Sequence, residues 1–197
     1  MSLRSPPSDF DKRKLPFVHV DASELVRISS FETGEPWFGK SRTNRFDDRR
    51  RRKKDDRFGT CYAAFTLECA FAETVLHNRV ARGGKFKIPP EDLVRWVVTF
   101  NPEQLTVAVL LGGHLKKLGG DGEISTIADY SIPGRWAATV HEHPFHVDGI
   151  MYVSKHVNDQ NAVVIFDRAK SKLRLKDSVK FEDYVGSQSV IDFFTNE

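Results

Sequence analysis

Residues 67 to about 82 are apolar nearly all the way round a helical circumference. At ~100° per residue, Leu67, Phe71, Ala72 and Val75 share one side, while Cys69, Ala70 and Leu76 flank Glu73 on the other. Such a helix has no wholly solvated face, so it needs packing partners on more than one side. Short apolar runs supply them. Residues 25–29 and 58–65 precede the helix, and 94–100, 105–111, 149–154 and 162–166 follow it, with a last short strand near 172–175. Each has strand length and is bounded by turn or charged residues.

Thr66 is placed to cap the start of the helix, and Gly83-Gly84 to end it. A second helix is expected from about Pro133, with proline in the first turn, through His141, stopped before Pro144; a short one is expected near Val190. The glycines at 112–113, 119, 120 and 122 are read as turns in a polar connection. Mixed strands with two or three helices predict one α/β (α+β) domain around a twisted mixed sheet flanked by helices. Residues 1–16 hold three prolines and six charges, so they are expected to form a flexible N-terminal arm with little core, the domain covering 17–197.

Several function classes drop out. The chain is 40% hydrophobic and 11% aromatic, enough to build a core and too much for a disordered chain. No run approaches the ~18–20 apolar residues of a membrane span, and the N-terminus lacks the apolar segment of a secretory signal. Two cysteines, Cys61 and Cys69, allow neither a disulfide framework nor a cysteine-rich zinc site; both sit among apolar neighbours and are read as packing residues. A cytoplasmic protein is expected. The net charge of +3 favours neither nucleic acid nor acidic substrate. Locally, RRRRKK at 49–54 is flanked by Asp47, Asp48, Asp55 and Asp56, and is read as a solvated loop; a nucleic-acid contact is the lesser alternative, since no aromatics interleave with the basic residues.

His141, His143 and His146 lack the spacing of a zinc-binding helix, and Pro144 would break it, so no metal is expected there. No Walker loop and no nucleophile elbow is present. What remains is a set of polar residues within otherwise apolar elements: Arg27 in the first run, Tyr62 in the second, Glu73 on the helix and Ser154 closing GIMYVS. Buried charges are costly unless paired, so these residues either pair with one another or surround a ligand. On spacing alone, an internal Arg–Glu pair or ordinary exposure is the plainer reading.

Their order and surroundings resemble the RES domain family. The matching segments are LVRIS with Arg27, NRFDD with Arg45 and Phe46, FGTCYAA with Tyr62, CAFAETVLH with Glu73, and VDGIMYVSKH with Ser154, over about residues 25–167. The charged loop RRRRKKDD is longer than the family pattern leads one to expect. The resemblance implies a fold similar to ADP-ribosyltransferases and an enzyme that consumes NAD+ by hydrolysis or phosphorolysis, as the toxin of a toxin–antitoxin pair. Its partners would be NAD+, inorganic phosphate in the phosphorolytic case, and a helix-turn-helix antitoxin of the Xre type. Transfer of ADP-ribose to a protein is the alternative outcome of the same site. No cofactor beyond NAD+ as substrate is implied.

The residue chemistry suits that task. A pyrophosphate is held well by the planar guanidinium of Arg27 or Arg45. Tyr62 offers a flat face to a nicotinamide ring. A carboxylate, Glu73, would stabilise the positive charge that develops on the ribose as the glycosidic bond breaks. Ser154 would position the nicotinamide amide or the ribose by hydrogen bonding.

Overall fold

The computed structural model of the chain describes residues 4–196. One eight-stranded sheet runs through it: β1 (Phe17–Asp21), β2 (Val26–Ser29), β3 (Thr60–Ala64), β4 (Trp96–Phe100), β5 (Gln104–Val109), β6 (Gly149–Val153), β7 (Asn161–Phe166) and β8 (Leu175–Lys180), in spatial order β1-β5-β6-β7-β3-β2-β4-β8. All neighbours are antiparallel except β5 and β6, so the sheet is mixed. A parallel pair requires a crossover. Three helices fill that connection, α2 (Gly112–Leu118), α3 (Glu123–Thr126) and α4 (Ser131–Glu142). The other helices are α1 (Leu67–Thr74), directly after β3, and α5 (Ser187–Thr195). The α/β architecture expected from the sequence is the one observed.

Strand alternation divides the interior in two. Val26, Ile28, Ala64, Ile150, Tyr152, Val164 and Phe166 point to the side where Phe71, Trp136 and Val140 pack. Cys61, Ala63, Val98, Val163 and Ile165 point to the opposite side, covered by Ala22, Ala169 and Leu173 from short connections. Gly149 opens β6 because a side chain there would fall 2.3 Å from the Val164 carbonyl oxygen. Beside it, the Asp148 carboxylate accepts from the Thr106 N–H at 2.8 Å and from Lys172 at 2.7 Å, fixing the start of the parallel pair.

Some expectations are corrected. Helix α1 stops at Thr74, because the apolar positions end at Leu76 and the exposed His77 and Asn78 continue as a turn. Gly83 and Gly84 instead form a turn at φ 59° and 77°, closed by the Arg82–Lys85 bridge. The segment 112–118 is helical despite its two leading glycines, anchored by buried Leu115 and Leu118 and ended by Gly119 at φ 99°. Edge strand β1 adds a strand to those the sequence marks, and the last strand begins at Leu175 rather than at 172.

The stretch expected to be a loose arm contributes to the core. Phe10 and Leu15 are each 1% exposed, Phe10 meets Trp136 edge-on at 5.6 Å, and the Trp136 indole donates to the Arg4 carbonyl at 2.9 Å. Proline and charge counts gave no weight to two well-placed apolar side chains. Among the described residues, no helix is long and apolar enough to cross a membrane.

Candidate active site

Strands β2 and β3 touch at one pair only, Val26 opposite Ala64, and diverge from there. The edge of β3 that faces the opening still needs hydrogen-bonding partners. Thr60 finds them in Gly39, through two backbone bonds of 2.9 Å, and the Tyr62 carbonyl accepts from the Arg27 guanidinium at 3.0 Å. The opening is continuous with a cavity of about 570 Å³, a volume usual for small-ligand sites. Arg27, Arg45, Tyr62, Glu73, Tyr152 and His156 are among its lining residues.

Arg27 is held from behind. Its Nε donates to Glu35 at 3.0 Å, and the Glu35 side chain is only 2% exposed. Burial opposes ionisation of Glu35, but the Arg27 charge and hydrogen bonds from Ser29, Arg27 and the Trp37 N–H outweigh it and hold the carboxyl below its ordinary range. The internal Arg–Glu pair left open by the sequence therefore exists, with Glu35 as the acid. Glu73 is not part of it.

The NRFDD segment folds around Asp47. This carboxylate is buried and accepts from Thr60 Oγ1 at 2.7 Å, the Asn44 N–H at 3.0 Å, Ser41 Oγ at 3.0 Å and the Tyr62 hydroxyl at 3.2 Å. The Tyr62 hydroxyl also accepts from the Phe46 N–H at 2.9 Å. Both ends of that hydroxyl are thus engaged, and burial together with the Asp47 charge pushes its pKa well up. Arg45 donates to the Ile127 carbonyl at 2.7 Å and lies 4.5 Å above the Tyr130 ring, which ties the end of α3 to the cavity wall.

The charged run is not uniformly solvated. Asp48 is buried and grips Arg50 through bonds of 2.8 and 2.7 Å, Arg50 also pairs with Glu142, and Arg49 packs over Tyr130 and beside Gly134. Residues 51–54 are exposed as expected. Buried partners claim the first two arginines, which charge counting along the chain could not foresee.

Ser154 directly follows β6 and, two residues on from Tyr152, continues the face of Ile150 and Tyr152 toward α1, where it meets Glu73. Its Oγ accepts the N–H groups of His156 and Val157, each at 3.1 Å, and donates to Glu73 Oε1 at 2.5 Å. Two donors occupy the oxygen's lone pairs, so its one proton is directed at the carboxylate. Tyr152, buried against Phe46 at 4.8 Å, forms the adjoining wall. The sequence alone does not mark it out, although period-two alternation from Ser154 places it on the same face. Also outside the sequence reading, His156 and His77 bring their rings within 4.9 Å of one another beside Glu73.

The cysteines and the histidine cluster do other work. Burial raises both thiols to about 11, leaving them protonated and unreactive. His143 donates through Nε2 to the Arg13 carbonyl and accepts the Phe145 N–H at Nδ1. His141 stacks on Phe58 at 4.3 Å and accepts from Arg168, while His146 also lies against Arg168.

The RES domain model matches residues 24–185, more than half of the chain. The chain belongs to the RES domain family. Every residue of the site just described lies within that span. Among solved structures, this RES domain is similar to a chain of the M. tuberculosis MbcT–MbcA toxin–antitoxin complex, at 15% identity and a TM-score of 0.58, over 92% of this chain and 94% of that one. That likeness shows a shared fold. No curated protein matches the sequence.

Proposed function

We propose that this RES domain cleaves the nicotinamide–ribose bond of NAD+ and serves as the toxin of a toxin–antitoxin pair. The observation that carries the reading is Glu73, oriented from behind by buried Ser154, on the wall of a cavity that Arg27 also lines. Glu73 is then the group facing the ribose. As the C1′–N1 bond breaks, its electron pair moves onto the nicotinamide nitrogen and cancels the ring's positive charge, so the leaving group needs no proton. Positive charge passes to the ribose, where a fixed carboxylate stabilises it. Water or phosphate then bonds to C1′, giving ADP-ribose or its 1-phosphate.

Ser154 positions Glu73 and does not attack. Both lone pairs of its oxygen accept backbone N–H groups, from His156 and Val157, which leaves none directed at carbon. Arg27, braced by Glu35 and the Tyr62 carbonyl, is the anchor for the pyrophosphate. Arg45 is tied to backbone carbonyls and adds its charge to the same wall. Tyr62 and Tyr152 supply aromatic surface for the nicotinamide.

The family and the fold shared with a chain of a toxin–antitoxin complex support the toxin role. The partner would be an antitoxin protein that covers the cavity, and a helix-turn-helix protein of the Xre type is the proposed kind. The test is NAD+ remaining over time with purified protein, with and without phosphate, beside Glu73→Ala. Loss that requires Glu73 supports the enzyme, and acceleration by phosphate identifies the acceptor. Intact NAD+ under both conditions overturns the reading; label passing from NAD+ to added protein would move it to ADP-ribosyl transfer.

A further inference from the structure

Glu73 and His77 are four residues apart, one helical turn, and the turn that follows Thr74 keeps His77 beside the carboxylate. His156 arrives from the other wall. The bond from its N–H to Ser154 Oγ folds the chain after β6 back toward α1. One ligating atom from each of Glu73, His77 and His156 lies within 4.8 Å of the other two. Neutral imidazoles with one carboxylate are the ligand set of zinc and neighbouring first-row cations; magnesium and calcium call for oxygen ligands throughout.

The dimensions are workable. A tetrahedral ion with bonds of ~2.0–2.1 Å sets its ligands ~3.4 Å apart, so atoms within 4.8 Å of one another need to close by at most ~1.4 Å. His77 is exposed, so its side chain is not locked in a packed interior. Three protein ligands beside an open cavity leave the fourth position for water. The Ser154 hydroxyl, bonded to one carboxylate oxygen, orients the acid as outer-shell donors do in metal sites.

We infer that Glu73, His77 and His156 bind zinc or a similar first-row divalent cation, and that the bound ion blocks NAD+ cleavage by occupying the Glu73 carboxylate. The binding half stands on the cluster alone, whereas the inhibitory half rests on the role proposed for Glu73 above.

The two halves separate experimentally. Chelator-treated protein is titrated with zinc chloride by calorimetry, and NAD+ loss is followed in parallel across the same zinc range. One ion per chain is expected, with affinity falling about tenfold or more in each of His77→Ala and His156→Ala, and no change in His114→Ala, an exposed histidine on α2. Thermal melts of the variants check that they are folded. Absence of stoichiometric zinc binding, or binding indifferent to His77 and His156, overturns the site. Zinc bound as expected by a protein that leaves NAD+ intact without zinc overturns the proposed reaction and leaves the metal site standing. Undiminished NAD+ cleavage at saturating zinc overturns the inhibition.

Discussion

Ser154 Oγ lies 2.5 Å from Glu73 Oε1, with two backbone N–H groups directed at the same serine oxygen. The serine therefore sets the direction of the carboxylate. Ser154→Ala removes that constraint and strands the N–H groups of His156 and Val157. Losing a hydrogen bond to a charged group costs about 1.5–3 kcal/mol, so kcat for NAD+ cleavage is expected to fall roughly 10- to 100-fold, with KM changed far less. Glu73→Gln, tested beside it, keeps an acceptor for the serine but loses the charge, and should be the more damaging. Steady-state kinetics on both variants decide the order.

His141 predicts a pH-dependent stability away from the cavity. Arg168 donates to its Nε2 at 2.9 Å, and a guanidinium cannot accept, so the imidazole is neutral with its proton on Nδ1. Burial, then the charges of Arg168 and Arg50, lower its pKa to about 4 from 6.5. Between those values the unfolded chain binds a proton that the folded one refuses, so stability rises with pH across this window and is lost as pH falls from 6.5 toward 4. Because the ring is only partly buried, solvent screening reduces the effect to about 1–2 kcal/mol. Chemical denaturation at pH 7 and pH 5 measures it. His141→Phe keeps a ring against Phe58 and should flatten that part of the profile.

Strand runs were legible because their length and alternation are local properties, as in β3, β6 and β7, where Tyr62, Tyr152 and the apolar residues around them fall in register. Strand β1 escaped because it is an edge strand in which only Val20 is buried, leaving little periodicity to read. Helix α2 escaped because its two leading glycines outweighed Leu115 and Leu118, whose value lies in tertiary packing. At the site, Arg27, Tyr62, Glu73 and Ser154 were visible as polar residues in apolar elements. Glu35 was not, since nothing local marks which loop carboxylate a strand arginine will meet. The approach of His77 to His156 likewise depends on how α1 lies against the end of β6.

The core role of Phe10 makes the N-terminal stretch structural. Its ring is buried between Trp136 and His143. Truncating a buried phenylalanine to alanine costs about 3–5 kcal/mol, and for a domain of this size each kcal/mol lowers Tm by ~2–4 °C. Phe10→Ala is expected to melt about 10 °C lower. A melting curve superimposable on that of the unaltered chain would show that residues 4–16 dock without contributing stability.

Arg27 is one half of a buried ion pair with Glu35 and also the proposed pyrophosphate anchor, so its simplest variant changes both. Arg27→Ala removes the proposed pyrophosphate anchor and also leaves the Glu35 carboxylate buried without its cation. Stranding one partner of a fully buried pair costs about 3–5 kcal/mol. The Arg27 side chain is 21% exposed, so water relieves part of that here and the expected loss is about 2 kcal/mol. Glu35→Gln alone keeps Arg27 but loosens it, so KM for NAD+ should rise several-fold while kcat is largely retained. Combining Arg27→Ala with Glu35→Gln should recover part of the stability lost in Arg27→Ala, because no unpaired charge remains inside, yet it should recover none of the NAD+ cleavage. A double-mutant cycle read by both denaturation and NAD+ consumption separates the two roles: activity restored together with stability would make Arg27 a folding residue, and stability restored without activity would place it on the substrate.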